Sequence, residues 1–402
     1  MDIIIIGAGP SGLMCAINAK NKNNKVTIIE KNNKAGKKLL LTGNGKCNYF
    51  NENLCSSSYH SSNEDLIDLI INENNKNMAL DILDKIGIYP KVVNGYYYPY
   101  SNLSSSVLNL LLIKCNNLGI DIIYNENVTS INKLNNKFII NNKYSCDKLV
   151  ISTGLKSYSK TGSDGILLPI IEKFGHKVEP ILPALVQVKG NIPKDFSGIR
   201  INAKISLYEN NKFVKEEIGE LQFTDYGLSG ICLMQLSGYI SKGLYNKKDE
   251  KIYINFMPFI ENFDEFILNR MTKLNTLNVI NALESIINYK ILYYIFKKNN
   301  IDINKKYFEL NKNEQNILKE SLTHFEVNIY DTNGFDNAQT CTGGINLNEI
   351  NLSTMESKLV SNLYFTGEII DIYGDCGGYN LALCWISGIL CGKDINDKSK
   401  TN

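Results

Sequence analysis

The hydrophobic pattern of the chain changes texture along its length. It opens on a continuous apolar run, Ile3–Ile6, which suits a strand buried on both faces of a parallel sheet. "DIIIIGAGPSGLMCAINAKNKNNKVTIIEK" then reads as strand, tight glycine turn, helix and strand. Helical spacing is predicted over Glu64–Ile86, with Gly87 just past the end as a C-terminal cap residue, and again over Ser104–Asn116. "IDIIYNENVTSI" alternates like a strand, and "KFIINNKYSCDKLVIST" reads as a hairpin leading into a buried strand at Lys148–Thr153. From about Leu185 the texture turns to short alternating strands: "ALVQVKG", "RINAKISLYENNKFVKEEIGELQFT" and "KIYINFMP". From Asn262 to about His324 it is helical, with Val279, Leu283, Ile286 and Ile287 on one face. Strands return at "FEVNIYD" and "NLYFTGEII", and the chain closes on "YGDCGGYNLALCW", a glycine-rich turn opening a helix. The predicted plan is a discontinuous α/β nucleotide domain built from both chain ends, with a β-rich and helical insertion between them.

Composition narrows this picture. A chain of 402 residues exceeds one ordinary core and calls for two or three domains. Hydrophobic content of 44% with 21% charged residues belongs to a globular chain, not a disordered one. The net charge of +2 neither requires nor forbids a polyanionic partner. Ten cysteines without a C-x-x-C pair, and three scattered histidines (His60, His176, His324), argue against a disulfide framework or a zinc site, so no metal is expected. The pattern has no secretory leader and no apolar run near the roughly 18 residues of a membrane span. The expectation is therefore a cytoplasmic protein with reduced thiols and no membrane partner.

The chemistry starts at Gly7-Ala8-Gly9-Pro10-Ser11-Gly12, a G-x-G-x-x-G set between a strand and a helix, with Glu30 ending the next strand. Gly7 makes the tight turn, Gly9 admits a pyrophosphate to the backbone, and Gly12 lets helix and strand pack closely. The helix N-terminus favours the diphosphate charge, and Glu30 can accept from an adenosine ribose. Three further stretches favour FAD over NAD. "AGKKLLLTGNGKCN" (Ala35–Asn48) offers backbone amides at Thr42, Gly43, Asn44, Gly45, Cys47 and Asn48 where a longer cofactor would continue. "LVISTG" resembles the strand and turn by which two-dinucleotide-fold flavoproteins leave the FAD domain, at Thr153 and Gly154. "YFTGEIID" resembles their late strand, with Gly367, Glu368 and Asp371 near the ribityl phosphate. No second complete G-x-G-x-x-G is present, so NADH or NADPH would dock transiently as electron donor.

Together with "GYYYPYS", "TGSDG", "FTDYGLSG", "TCTGGI", "TMESKLV" and "CGGYNLALCW", these motifs resemble the BaiN-like, aminoacetone-oxidase-like family of FAD-binding flavoproteins over nearly the whole chain. That family includes ribosomal RNA dihydrouridine synthases. The resemblance implies a Rossmann-like FAD-binding domain interrupted by a β-barrel-like domain and a small helical domain. The expected boundaries are 1–184 and 343–402 for the FAD domain, 185–257 and 325–342 for the β-rich domain, and 258–324 for the helices. It also implies cofactor contacts from Lys31, Lys38, Leu39, Val128, Gly377, Gly378, Tyr379 and Asn380. Three departures stand out: Lys46 where relatives carry Arg, Asp225 where many carry His, and Tyr96 where "GRVFP"-type relatives are basic.

Reduction of an activated C=C bond needs a hydride from the flavin and a proton from an acid or a positioned water. Cys376 and Cys47 are the candidate catalytic residues, each with small-hydrophobe packing as its alternative. For Cys376 the following helix start is expected to lower the thiol pKa, which favours a thiolate over a proton donor. Cys15, Cys384 and Cys391 read as core. Lys20, Lys22, Lys25, Lys31, Lys34, Lys37, Lys38 and Lys46 could hold phosphates, or form a solvated face. Tyr96, Tyr97, Tyr98 and Tyr100 could stack an unstacked base, although strand alternation must turn some of them into the core. The resemblance implies reduction of a uridine C5=C6 bond in large-subunit ribosomal RNA or a ribosomal precursor. A small-molecule enoyl reductase or amine oxidase, and a flavin-bearing RNA-binding or assembly protein without turnover, are the alternatives.

Overall fold

The four isoleucines of the opening run are buried, and Asp2–Ile6 lies at the heart of a sheet, parallel to Lys25–Ile29 on one side and Lys148–Ile151 on the other. In this computed structural model, which describes residues 1–400, the sheet has seven strands. Their order is Ile350–Asn351, Glu356–Ser357, Leu363–Phe365, Lys148–Ile151, Asp2–Ile6, Lys25–Ile29 and Asp121–Ile123. The late strand Leu363–Phe365 runs parallel to Lys148–Ile151, so the C-terminal chain completes the sheet begun by the N-terminus. This is the Rossmann-type arrangement. It forms one compact unit from Met1–Pro183 and the chain after Ala338, while Ala184–Asn337 forms a second.

In the first unit the helix Pro10–Ala19 packs against the long C-terminal helix Tyr379–Lys398. Contact this close requires glycine. A side chain at Gly388 would stand 2.5 Å from the Ser11 carbonyl oxygen, and one at Gly392 would stand 2.6 Å from that of Cys15. Their spacing of four residues places both on one helix face.

Two elements differ from the periodic pattern. The predicted helix over Glu64–Ile86 is a 3-10 stretch, Glu64–Leu69, followed by a separate helix, Glu73–Ile86. Asn72 causes the break: its side chain caps the second helix by accepting from the Asn75 amide, a geometry that needs extended backbone at the cap. The predicted strand "IDIIYNENVTSI" pairs only over Asp121–Ile123. Asn125 then takes a left-handed conformation (φ 58°), and pairing resumes at Ile131–Leu134 in a different, three-stranded sheet.

The second unit is a closed six-stranded barrel of Val188–Gly190, Gly227–Ser229, Lys212–Phe223, Arg200–Glu209, Glu250–Asn255 and Phe325–Thr332. Its long hairpin turns at Asn210 and Asn211, both at positive φ (48° and 63°), as a two-residue hairpin loop of matching twist requires. The helices Phe263–Lys273, Val279–Leu283, Tyr289–Lys298 and Lys312–Thr323 share one hydrophobic core with the barrel. Phe196 is central to it, with its ring 5.2 Å from Phe223 and 5.1 Å from Tyr294.

Glu250 breaks the apolar pattern of that barrel. It is buried, and neither carboxylate oxygen has a hydrogen-bond partner. Burial, reinforced by the neighbouring Glu209, pushes its carboxyl up to about 8. An unfolded chain would release that proton near pH ~4.3. Folding therefore takes up a proton between these values, and the contribution to stability falls as pH rises from about 4 toward 8. Glu250→Gln should remove this dependence. Thermal melts should show the variant more stable than the parent by at least several degrees at pH 8.5 and no more stable at about pH 4, at roughly 2–4 °C per kcal/mol for a unit of this size.

Candidate functional site

The glycine loop is held from both sides. The Gly7 amide donates to the Ile29 carbonyl at 2.8 Å, and the Ala8 amide donates to Glu30 Oε2 at 2.8 Å. Gly7 sits at φ 105°, with the backbone of Ser152 so close that a side chain would lie 2.6 Å from its carbonyl oxygen. Gly9 is the opposite case. Its backbone is extended (φ −79°), and a side chain there would meet nothing within 4 Å. The loop thus leaves room over Gly9, at the start of the Pro10–Ala19 helix, where the first-turn amides have no intrahelical partners. Pro10 at the first helical position lacks the amide that would otherwise go unused.

Glu30 is buried and oriented by three donors. Asn32 supplies two of them to Oε1, from its backbone amide at 2.8 Å and its side chain at 2.7 Å. Oε2 receives only the Ala8 amide and retains a lone pair for a ribose hydroxyl. An open backbone cradle, a helix N-terminus and a fixed acceptor fit the adenosine diphosphate half of FAD.

The C-terminal chain meets this loop at Gly367. A side chain there would lie 2.5 Å from Ser11 Oγ, and the Gly367 amide donates to Ser387 Oγ at 2.9 Å. Next to it, Glu368 accepts from Lys38 Nζ at 2.6 Å, and the same ammonium donates to Ser157 at 2.6 Å. Gly154 lies beside this pair: a side chain there would stand 3.6 Å from Glu368 Oε2. Gly9, Ser11, Lys38, Gly154, Gly367 and Glu368 are therefore neighbours, although the sequence separates them by up to 359 positions.

A second cluster forms around the closing turn. Gly377 and Gly378 both have positive φ (124° and 93°). Asn51 donates to the Gly377 carbonyl at 2.8 Å, and Gly378 rests against the carbonyl of Phe50 and the side chain of Asn48. Asn380 clamps the turn, accepting the Gly374 amide and donating to the Gly374 carbonyl, each at 2.8 Å. The Tyr379 carbonyl accepts from the Tyr59 hydroxyl at 2.8 Å. In the Ala35–Asn48 stretch, Leu39 is buried, Thr42 donates to the Leu39 carbonyl, and Gly43, Asn44, Gly45 and Cys47 all take positive φ. Val128 is buried, and Thr153 is half-buried beside Gly154.

Several expected residues are engaged elsewhere. Lys31 pairs with Asp164. The Asp371 carboxylate accepts from the Ser62 amide at 2.8 Å and the Ser62 hydroxyl at 2.5 Å. Cys47 is fully buried, and burial pushes its thiol up to about 12 against an opposing hydrogen bond with Thr42. The thiol of Cys376 corrects the expectation of a lowered pKa. Cys376 precedes the helix cap, Gly378, by two residues. Burial first, and the Asp375 carboxylate second, push its thiol up to about 12. At neutral pH it is therefore S–H, and the dipole of the following helix does not reverse that.

Sequence reasoning missed His60. Tyr373–Gly374 pairs antiparallel with Tyr59–His60, and this brings His60 Nε2 to 2.8 Å from Asp375 Oδ1, beside Cys376. No local spacing reveals a pair 315 residues apart. It missed Asn51 for the same reason. Among the described residues no group of three His, Cys, Asp or Glu could hold a metal ion, and no helix is long and apolar enough to cross a membrane.

A Rossmann-type sheet whose C-terminal chain returns to the first glycine loop defines the class: an FAD-dependent oxidoreductase. A family model described as the HI0933-like protein Rossmann domain matches residues 1–394, and the chain belongs to this family. The chain is 33% identical over 398 residues to the 3-dehydro-bile acid delta(4,6)-reductase of Clostridium scindens, covering 97% of each. It is 28% identical over 405 aligned residues to the ribosomal RNA dihydrouridine synthase of Escherichia coli, covering 98% of each. Among solved structures, an open flavocytochrome c3 fumarate reductase aligns at TM-score 0.51 with 12% identity, over 99% of this chain and 78% of that one. A 3-ketosteroid-delta4-(5alpha)-dehydrogenase from Rhodococcus jostii aligns at TM-score 0.50, also with 12% identity, over 98% and 96%. These two show the fold alone.

Two measurements check this site. Gly9→Ala should fold like the parent, since the new methyl meets no protein atom, yet purify with its bound FAD reduced at least ~10-fold; equal absorbance near 450 nm would show that the cradle is not used. In alkylation with iodoacetamide at pH 8, exposed Cys55, whose thiol is held below its ordinary value by Ser57 and Ser58, should react first. Cys376 should lag by at least ~10-fold, because only the thiolate reacts.

Proposed function

We propose that the protein is an NAD(P)H-using flavin reductase of C=C bonds conjugated to a carbonyl, with the C5=C6 bond of a uridine in large-subunit ribosomal RNA as its substrate. The two curated relatives support the reaction class. A dihydrouridine is a uridine saturated at a C=C bond conjugated to its C4 carbonyl, and a 3-oxo Δ4,6 bile acid carries the same conjugation. Bound FAD would supply the hydride chemistry.

What this chain adds is the proton. Saturating the bond requires one hydride on the carbon β to the carbonyl and one proton on its neighbour. The observation that carries the assignment is Cys376, held as a thiol in the Gly374–Gly378 turn. Its Sγ would give the proton and recover one from solvent in each turnover. The base would be splayed out of its RNA to reach the site. A second reading, a steroid-like enone as substrate, is favoured by the 33% identity to the bile acid reductase.

Dihydrouridine mapping in ribosomal RNA from a deletion strain tests the substrate. Loss of one large-subunit position is expected; an unchanged map, with turnover of a Δ4-3-ketosteroid by the purified enzyme, would establish the second reading. For the thiol, Cys376→Ala should slow flavin reoxidation by substrate by roughly 100-fold while leaving flavin reduction by NAD(P)H unchanged. An equal loss in both half-reactions would assign Cys376 to packing.

A further inference from the structure

We infer that the hairpin of Pro90–Val93 and Tyr96–Pro99 presents a stacking track for an unpaired RNA strand leading away from the Cys376 turn. This rests on the proposed RNA substrate and names the surface that would hold it. The hairpin pairs through Tyr96–Tyr97 with Phe50–Asn51. Opposed residues of an antiparallel pair share a face. The register therefore puts Val93 with Tyr96, Lys91 with Tyr98, and, one step beyond the paired strands, Tyr89 with Tyr100 on one face. Tyr97 lies on the other, its ring 6.1 Å from both Tyr49 and Phe50 in the interior.

The outer face is graded from the site to solvent. Tyr96 is half-buried, and its ring closes on Gly377, where a side chain would lie 2.6 Å away, next to Cys376. Tyr98 is half-buried against Gly43. Tyr89 and Tyr100 are 70% and 66% exposed, their ring centres 5.9 Å apart, and the Tyr100 amide donates to the Tyr89 carbonyl at 2.9 Å. Two neighbouring tyrosines so exposed present apolar ring surface to solvent, as a binding surface does. Lys91 lies on this face and Lys46 in the turn beside Tyr98, both exposed.

Open rings with cations at their edge match single-stranded nucleic acid: every base has a face to stack, and phosphates take the lysines. A sterol would instead need enclosure over most of its surface. Lys31 and Lys38, by contrast, are tied to Asp164 and Glu368.

The test uses the FAD-loaded full chain and a fluorescent twelve-nucleotide oligouridine. Tyr89→Ala/Tyr100→Ala should weaken binding at least ~10-fold, with FAD content, NAD(P)H-driven flavin reduction and melting temperature unchanged. Tyr89→Phe/Tyr100→Phe should retain binding, since the ring suffices. Lys46→Ala/Lys91→Ala should lower the slope of log affinity against log salt by about 1–2. If the parent binds oligouridine and the alanine pair binds equally well, the track is wrong while the proposed function stands. If the parent binds no RNA and the dihydrouridine map is unchanged, the functional reading falls and the track with it. Loss of steroid turnover in the alanine pair would assign the surface to a sterol and overturn the RNA track.

Discussion

The close packing of the first helix on the last is the constraint on which the site depends. Gly388 and Gly392 let the backbones of Tyr379–Lys398 and Pro10–Ala19 touch, and that contact fixes the C-terminal helix relative to the glycine loop. From there the helix sets two positions at once. Ser387 holds the Gly367 amide against Ser11, beside the cradle over Gly9. A half-turn back, Trp385 is fully buried and donates from Nε1 to the Tyr49 carbonyl at 3.0 Å, which anchors the strand carrying Phe50 and Asn51 beneath the Gly377 turn. A larger residue at position 388 would push on both ends of the site, because close-packed interiors transmit strain instead of absorbing it.

Around this frame, charge is distributed in two ways. Carboxylates in the site are matched: Glu30 by backbone and side-chain amides, Glu368 by Lys38, Asp371 by Ser61 and Ser62. The thiols are shifted the other way: burial raises both Cys376 and Cys47 and keeps them protonated at neutral pH. The same physics distinguishes both from Cys55, which is exposed and whose thiol is held below its ordinary value by Ser57 and Ser58.

Much of this was legible in the sequence because the signals are local. Ile3–Ile6 needs only its own four residues to declare a buried strand, and the glycine loop needs only its neighbours. Asn72 and Asn125 show where locality fails in small ways: one asparagine capped a helix that periodicity ran through, and another ended a strand that alternation extended. The larger failures are long-range. The lysine cluster read as a basic face loses Lys31 and Lys38 to acids more than 130 residues away. The dipole argument for Cys376 weighed one helix end but not the depth at which the fold places the thiol. His60 reached Asp375 only through a two-residue strand pair that no pattern announces.

The tyrosines of "GYYYPYS" show how the same locality can carry a functional argument once register is known. Alternation alone says that some rings face in and some out, and it cannot say which. Pairing with Phe50–Asn51 decides it, sending Tyr97 inward and leaving Tyr96, Tyr98 and Tyr100 on the other face. Tyr96 closes on Gly377 and so places a ring next to the turn that carries Cys376. The flavin chemistry is common to reductases of enones and of uridines, so selectivity between them has to come from the surface leading to the ring. In the function proposed above, that role falls to the open, aromatic and lysine-edged face of the hairpin.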